Sequence, residues 1–72
     1  MNTLIPFRSR AEAIRLSRAL NAKRIAHTVI NTPRNIGVSC GLSVLFYERH
    51  LEMVQELIKT LSLTTSQGVF KR

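Results

Sequence analysis

At Glu48 the hydrophobic spacing of this chain changes period, and that change constrains the fold more than any other feature. Before it, "LSVLFY" (residues 42–47) alternates, with Leu42, Val44 and Phe46 on one side and Ser43, Leu45 and Tyr47 on the other, which is the period of a strand. After it, Leu51, Val54, Ile58 and Leu61 fall at i, i+3, i+7 and i+10, the apolar stripe of an amphipathic helix. Glu48, Glu52 and Glu56 lie toward the N-terminal half of that helix and Lys59 toward its end, as the helix dipole favours. A strand leading straight into a one-sided helix must share a core with it, and the Leu42, Val44, Phe46 face is the expected core side.

The rest of the chain offers four more elements. "TLIPF" (residues 3–7) reads as a strand, in which Pro6 lacks a ladder donor and belongs at a strand end, an edge or a bulge. Ser9 followed by Glu12 matches a capping box, in which the Ser side chain accepts from one free amide and the Glu reaches back to another. In the helix that follows, Ala13, Leu16, Ser17 and Leu20 gather on one face, with Arg10, Arg15 and Arg18 off it. "IAHTVI" (residues 25–30) is β-branched and reads as a second strand; "SLTTSQG" (residues 62–68) ends the second helix; "VFKR" has room for one short final strand. The order strand, helix, strand, strand, helix, strand predicts an α+β fold, the ferredoxin-like β-α-β-β-α-β sandwich, with two helices on one face of a four-stranded antiparallel sheet. Residues 1–72 carry no linker or low-complexity stretch and are expected to form one small domain.

Eleven Lys and Arg against four acidic residues give a net charge of +7, which favours anionic partners, whether RNA, an acidic protein surface or a small anion. No apolar run approaches the roughly 18 residues of a membrane span, so no membrane partner is expected. The N-terminal "MNTLIPFRSR" lacks the pattern of a secretory signal, and a lone cysteine forms no intramolecular disulfide, which makes the cytoplasm the expected compartment.

That cysteine, Cys40, ends a long connection, "NTPRNIGVSCG" (residues 31–41), where a hairpin usually needs about 2–5 residues. Thr32 precedes Pro33 and is biased toward extended backbone, while Gly37 and Gly41 permit positive φ or close approach of another backbone. An ordinary thiol is roughly 3% thiolate at pH 7, and lowering its pKa by about two units makes it about 75% thiolate. Arg34 supplies such a shift if the loop folds it back toward Cys40, with backbone amides assisting as anion donors. The competing reading is a small buried side chain with a packing role.

The stretch "TPRNIGVSCGLSVLF" (residues 32–46) resembles the signature of the selenium/sulfur carrier-like family of small bacterial domains, in which a Pro-Arg pair precedes a Ser-Cys-Gly that leads into an apolar strand. The resemblance implies a carrier rather than a turnover catalyst, holding sulfur or selenium on Cys40 as a persulfide or selenopersulfide. Pro33, Arg34, Ser39 and Gly41 match the motif around it. The implied partners are a sulfur or selenium donor protein and an acceptor protein, and neither a cofactor nor a metal enters this reading. The chain departs from the family pattern at Pro6, at Lys23 and Arg24, where a helix-ending Gly is common, and at Tyr47, Glu48, Arg49 and His50, which replace a Pro-containing helix start.

The alternative function is a basic RNA- or protein-binding module with a structural cysteine. Contact with an RNA backbone would fall to Arg10, Arg15, Arg18, Lys23 and Arg24, because the aromatic stacking platform of ferredoxin-like RNA binders is missing around residues 41–47. In a third reading, an exposed sheet face bearing Ser43 and Leu45 docks a partner. His27, Cys40 and His50 show no paired metal-ligand spacing; His27 reads as a strand residue and His50 as a first-turn helix residue.

Overall fold

The structure, a computed structural model, describes residues 1–36 and 41–72. It contains β1 (Thr3–Phe7), α1 (Arg10–Ala22), β2 (His27–Asn31), β3 (Leu42–Phe46), α2 (Leu51–Thr60) and β4 (Phe70–Lys71), with single 3-10 turns at Arg34–Ile36 and Glu48–His50. The sheet has the order β2-β3-β1-β4, and every neighbouring pair is antiparallel. This is the predicted ferredoxin-like α+β arrangement. Ile5, Phe7, Val44 and Phe46 of the two central strands pack against Ala13, Leu16 and Leu20 of α1 and Val54 of α2, with Leu42 at the margin of the same core.

The helix-free face differs from expectation. Ser43 and Leu45 are buried, as are Leu4 and Pro6, which pair with them across β1 and β3. Thr28, Leu45, Leu4 and Phe70 form one row across all four strands. The Ser43 hydroxyl is further tied to that of Thr32 at 2.8 Å. Ser43 and Leu45 therefore do not present the exposed face expected of a docking site.

Pro6 sits inside a central strand, and the ladder accommodates it by a bulge. Its carbonyl accepts from Gln67 N at 2.8 Å, so its missing N–H also faces the C-terminal segment. On that side Leu4 pairs with Phe70 and Phe7 with Ser66, which leaves one more residue between partners on the C-terminal segment than on β1. Gly68, at φ 97°, absorbs the extra residue. The ladder toward β3 keeps its regular register past Pro6, so the proline interrupts pairing on one side only.

Both helices end in the same way. Ile25 N donates to Leu20 O and Arg24 N to Asn21 O, while Leu63 N donates to Ile58 O and Ser62 N to Lys59 O, two Schellman turns. The residue that must turn left-handed is Arg24 in one and Ser62 in the other, at φ 57° and 56°. Each turn delivers an apolar residue, Ile25 or Leu63, into the core. This is why β2 begins at His27 and not at Ile25: the first residue of the predicted strand serves the helix end. The second helix likewise begins later than expected, because residues 48–50 wind as a 3-10 turn and His50 becomes the residue that caps α2.

The capping box forms by half. Ser9 Oγ accepts from Glu12 N at 3.2 Å, but the Glu12 carboxylate turns away from the helix start. It accepts from Thr65 N at 2.8 Å, Thr65 Oγ1 at 2.7 Å, Thr64 N at 3.0 Å and, at 3.4 Å, Thr64 Oγ1. Thr65 Oγ1 in turn accepts from Ser9 N, and Thr65 O from Arg8 N. The Ser9 amide that the box leaves unserved is thus met from 56 residues away.

The Thr65 hydroxyl, followed by the backbone bonds to residues 64 and 65, holds the Glu12 carboxyl below its ordinary value of 4.5. A lowered folded-state pKa stabilises above the unfolded value and is lost as pH falls through the folded one. Glu12→Gln is expected to cost about 1 kcal/mol at neutral pH. In thermal unfolding at stepped pH, the gap between wild type and variant should narrow once pH drops below 4.5. Arg24→Gly and Ser62→Gly relieve left-handed strain and should each raise stability by about 1 kcal/mol, read from urea midpoints at unchanged m-value.

Candidate functional site

The candidate site is the β2–β3 connection. The last rung of that ladder joins Asn31 and Leu42, and just beyond it Thr32 N donates to Gly41 O at 3.0 Å. With its hydroxyl on Ser43, Thr32 clamps the foot of the loop by both backbone and side chain. Sequence reasoning noted Thr32 only for its extended backbone. The signal for its second role is its place opposite Gly41 and diagonal to Ser43, which pairs with Ile30, and that needs the register to be known.

Pro33 follows the clamp and is half-buried; Arg34 opens the 3-10 turn at Arg34–Ile36 with its side chain exposed. Gly37, Ser39 and Cys40 lie outside the described residues, and so does the expected approach of Arg34 to Cys40. The described structure resumes at Gly41, which is buried over the end of β1. A Cβ there would run into the Phe7 carbonyl oxygen and come within 3.4 Å of the Arg8 carbonyl. Of the two roles open to this glycine, close approach of another backbone is the one it serves. Arg8, which the motif does not include, is thereby brought beside the residue that follows Cys40 in the chain.

The other named residues are placed elsewhere. Arg10, Arg15 and Arg18 are exposed on α1, and Lys23 and Arg24 are exposed at its C-terminal turn. Arg15 Nη2 donates to Leu61 O at 3.3 Å, meeting a carbonyl at the end of α2. Of the four aromatic side chains, Phe7 and Phe46 are fully buried, Phe70 is half-buried on the short β4, and the Tyr47 ring carries the Arg49 guanidinium 4.5 Å from its centroid.

His27 is a β2 residue whose ring joins that strand to α1. Nδ1 donates to Ile25 O at 2.9 Å, and Nε2 is hydrogen-bonded to the Ser17 hydroxyl at 2.8 Å. Among the described residues no three His, Cys, Asp or Glu side chains gather as a metal-binding group, and no helix is long and apolar enough to cross a membrane.

A family model described as "Putative Se/S carrier protein-like" matches residues 2–68. Neither a comparison with curated proteins nor one with solved structures returns a match.

Because the Gly41 site is closed by backbone, which has no soft end to move, Gly41→Ala is expected to cost about 1–3 kcal/mol. Chemical denaturation checks this, and an unchanged midpoint would show that the loop foot can shift off Phe7.

Proposed function

The chain belongs to the selenium/sulfur carrier-like family, and on that premise we propose that it carries sulfur or selenium on Cys40 as a persulfide or selenopersulfide. The observation that carries this reading is the reach of the family match, which spans residues 2–68 and so includes the whole loop from Pro33 and Arg34 to Ser39, Cys40 and Gly41. The described ends of the loop suit the role. Arg34 stands exposed near its entry, and the Thr32 clamp and buried Gly41 anchor its foot.

The chemistry balances without an added oxidant or reductant. The Cys40 thiolate attacks the outer sulfur of a donor persulfide, a new S–S bond forms at Cys40, the donor S–S bond breaks, and the donor cysteine leaves as a thiolate. Delivery is the same exchange in reverse sense: an acceptor nucleophile takes the outer sulfur and Cys40 departs as thiolate. With one cysteine in the sequence, no second thiol of the chain can intercept the cargo as a disulfide. An Arg34 side chain near the thiol would favour the thiolate for attack and as leaving group.

Intact mass after incubation with a cysteine desulfurase and cysteine, or with a selenium donor, tests the proposal. The expected result is a gain of one sulfur or selenium atom that reducing agent removes and Cys40→Ser abolishes. No adduct on a chain whose Cys40 alkylates freely would overturn it. Slow alkylation of the native chain, with a stability loss in Cys40→Ser, would instead assign the cysteine to packing.

A further inference from the structure

Between residues 8 and 24 six basic side chains stand against one carboxylate, Glu12, which is spent on Thr64 and Thr65. Ala13, Leu16 and Leu20 are buried, so Arg10, Ala11, Ile14, Arg15 and Arg18, all exposed, form the opposite, outward face of α1. Among the described residues the one ion pair joins Lys71 to Glu48, far from this helix in sequence. The α1 face is therefore a basic surface whose charges are not answered by carboxylates of its own chain.

At its middle lies an apolar residue. Ile14 is 42% exposed and sits four residues from Arg10 and four from Arg18, so the three side chains form one ridge on the helix surface. The ridge from Arg10 to Arg18 spans about 12 Å at 1.5 Å per residue. Lys23 and Arg24, exposed at the helix end, extend the positive surface beyond it.

We infer that the outward face of α1 docks an acidic protein surface, one that sets two carboxylates about 12 Å apart around an apolar contact. Charge selects the sign of the partner, and Ile14 selects its class. A nucleic-acid backbone is bound by charge and needs no aliphatic centre, and stacking of bases would need aromatic rings, of which the α1 face carries none. An apolar centre inside a ring of arginines is the anatomy of a protein interface, in which Arg is enriched and the anchor is shielded by its rim. A helix of 13 residues is a small footprint, which suits a partner that binds and leaves. The inference stands apart from the thiol chemistry, because none of its residues belongs to the loop.

Fluorescence anisotropy on the full chain tests it with three probes. They are a helical peptide of about 14 residues with Glu four before and four after a central Leu, the same peptide with Ser for Leu, and a single-stranded RNA of about 12 nucleotides. The Leu peptide should bind and should weaken about tenfold or more with the double variant Arg10→Glu, Arg18→Glu. It should weaken about fivefold with Ile14→Ser, the same factor the Ser peptide loses on wild type. All three positions are exposed, so circular dichroism should report unchanged folding. Cys40→Ser should bind as wild type does, which separates this result from the success or failure of persulfide transfer. RNA bound more tightly than the Leu peptide and indifferent to Ile14→Ser would overturn the inference in favour of nucleic acid. Peptide affinity unmoved by the double charge reversal would overturn it outright.

Discussion

The Glu12 carboxylate gathers backbone N–H groups and hydroxyls from Thr64 and Thr65, and that cluster ties the segment after α2 to the start of α1. β4 is only two residues long and pairs with β1 at two positions, too little to hold itself in place. Upstream of it, Thr65 binds Glu12, Ser9 and Arg8 together, so the segment after α2 is pinned to the start of α1 before it turns along β1. An anion at the first turn of a helix is favoured by the helix dipole, and here the same anion also closes the tertiary structure.

Two other devices complete the frame. Pro6, facing its missing donor toward the bulge at Gly68, lets β1 keep an uninterrupted ladder with β3. Gly41 lets the chain settle onto Phe7 at the point where the loop bearing Cys40 rejoins the sheet. The loop is thus mounted on the two central strands and clamped by Thr32, while the basic face of α1 is built from a separate element.

Much of this was legible from residues alone because it is local. The alternation at Leu42, Val44 and Phe46, the stripe at Leu51, Val54, Ile58 and Leu61, and the Ser9 cap follow from side-chain period and capping chemistry, and the structure keeps them. The errors fall where a residue's partner is distant. Glu12 has the spacing of a capping-box member, yet bonds to residue 65 outcompete the local contact, because two donors there need an acceptor. Ile25 has strand composition but is claimed by the turn that ends α1. Ser43 and Leu45 alternate as surface residues should, yet both are buried in the structure, beside cross-strand neighbours that the sequence does not identify.

For the site the same line divides what was readable. The Pro33, Arg34 and Ser39, Cys40, Gly41 motif, the net charge of +7 and the single thiol are properties of the sequence, and the family resemblance read from the motif agrees with the match over residues 2–68. That Gly41 serves close packing and not a left-handed turn, that Thr32 and Ser43 lock the loop foot, and that Ile14 sits exposed between Arg10 and Arg18 were decided by tertiary structure. The physical reason is that period and composition specify which residues want burial or charge compensation. Which neighbour satisfies them depends on strand register and on how α1 lies on the sheet.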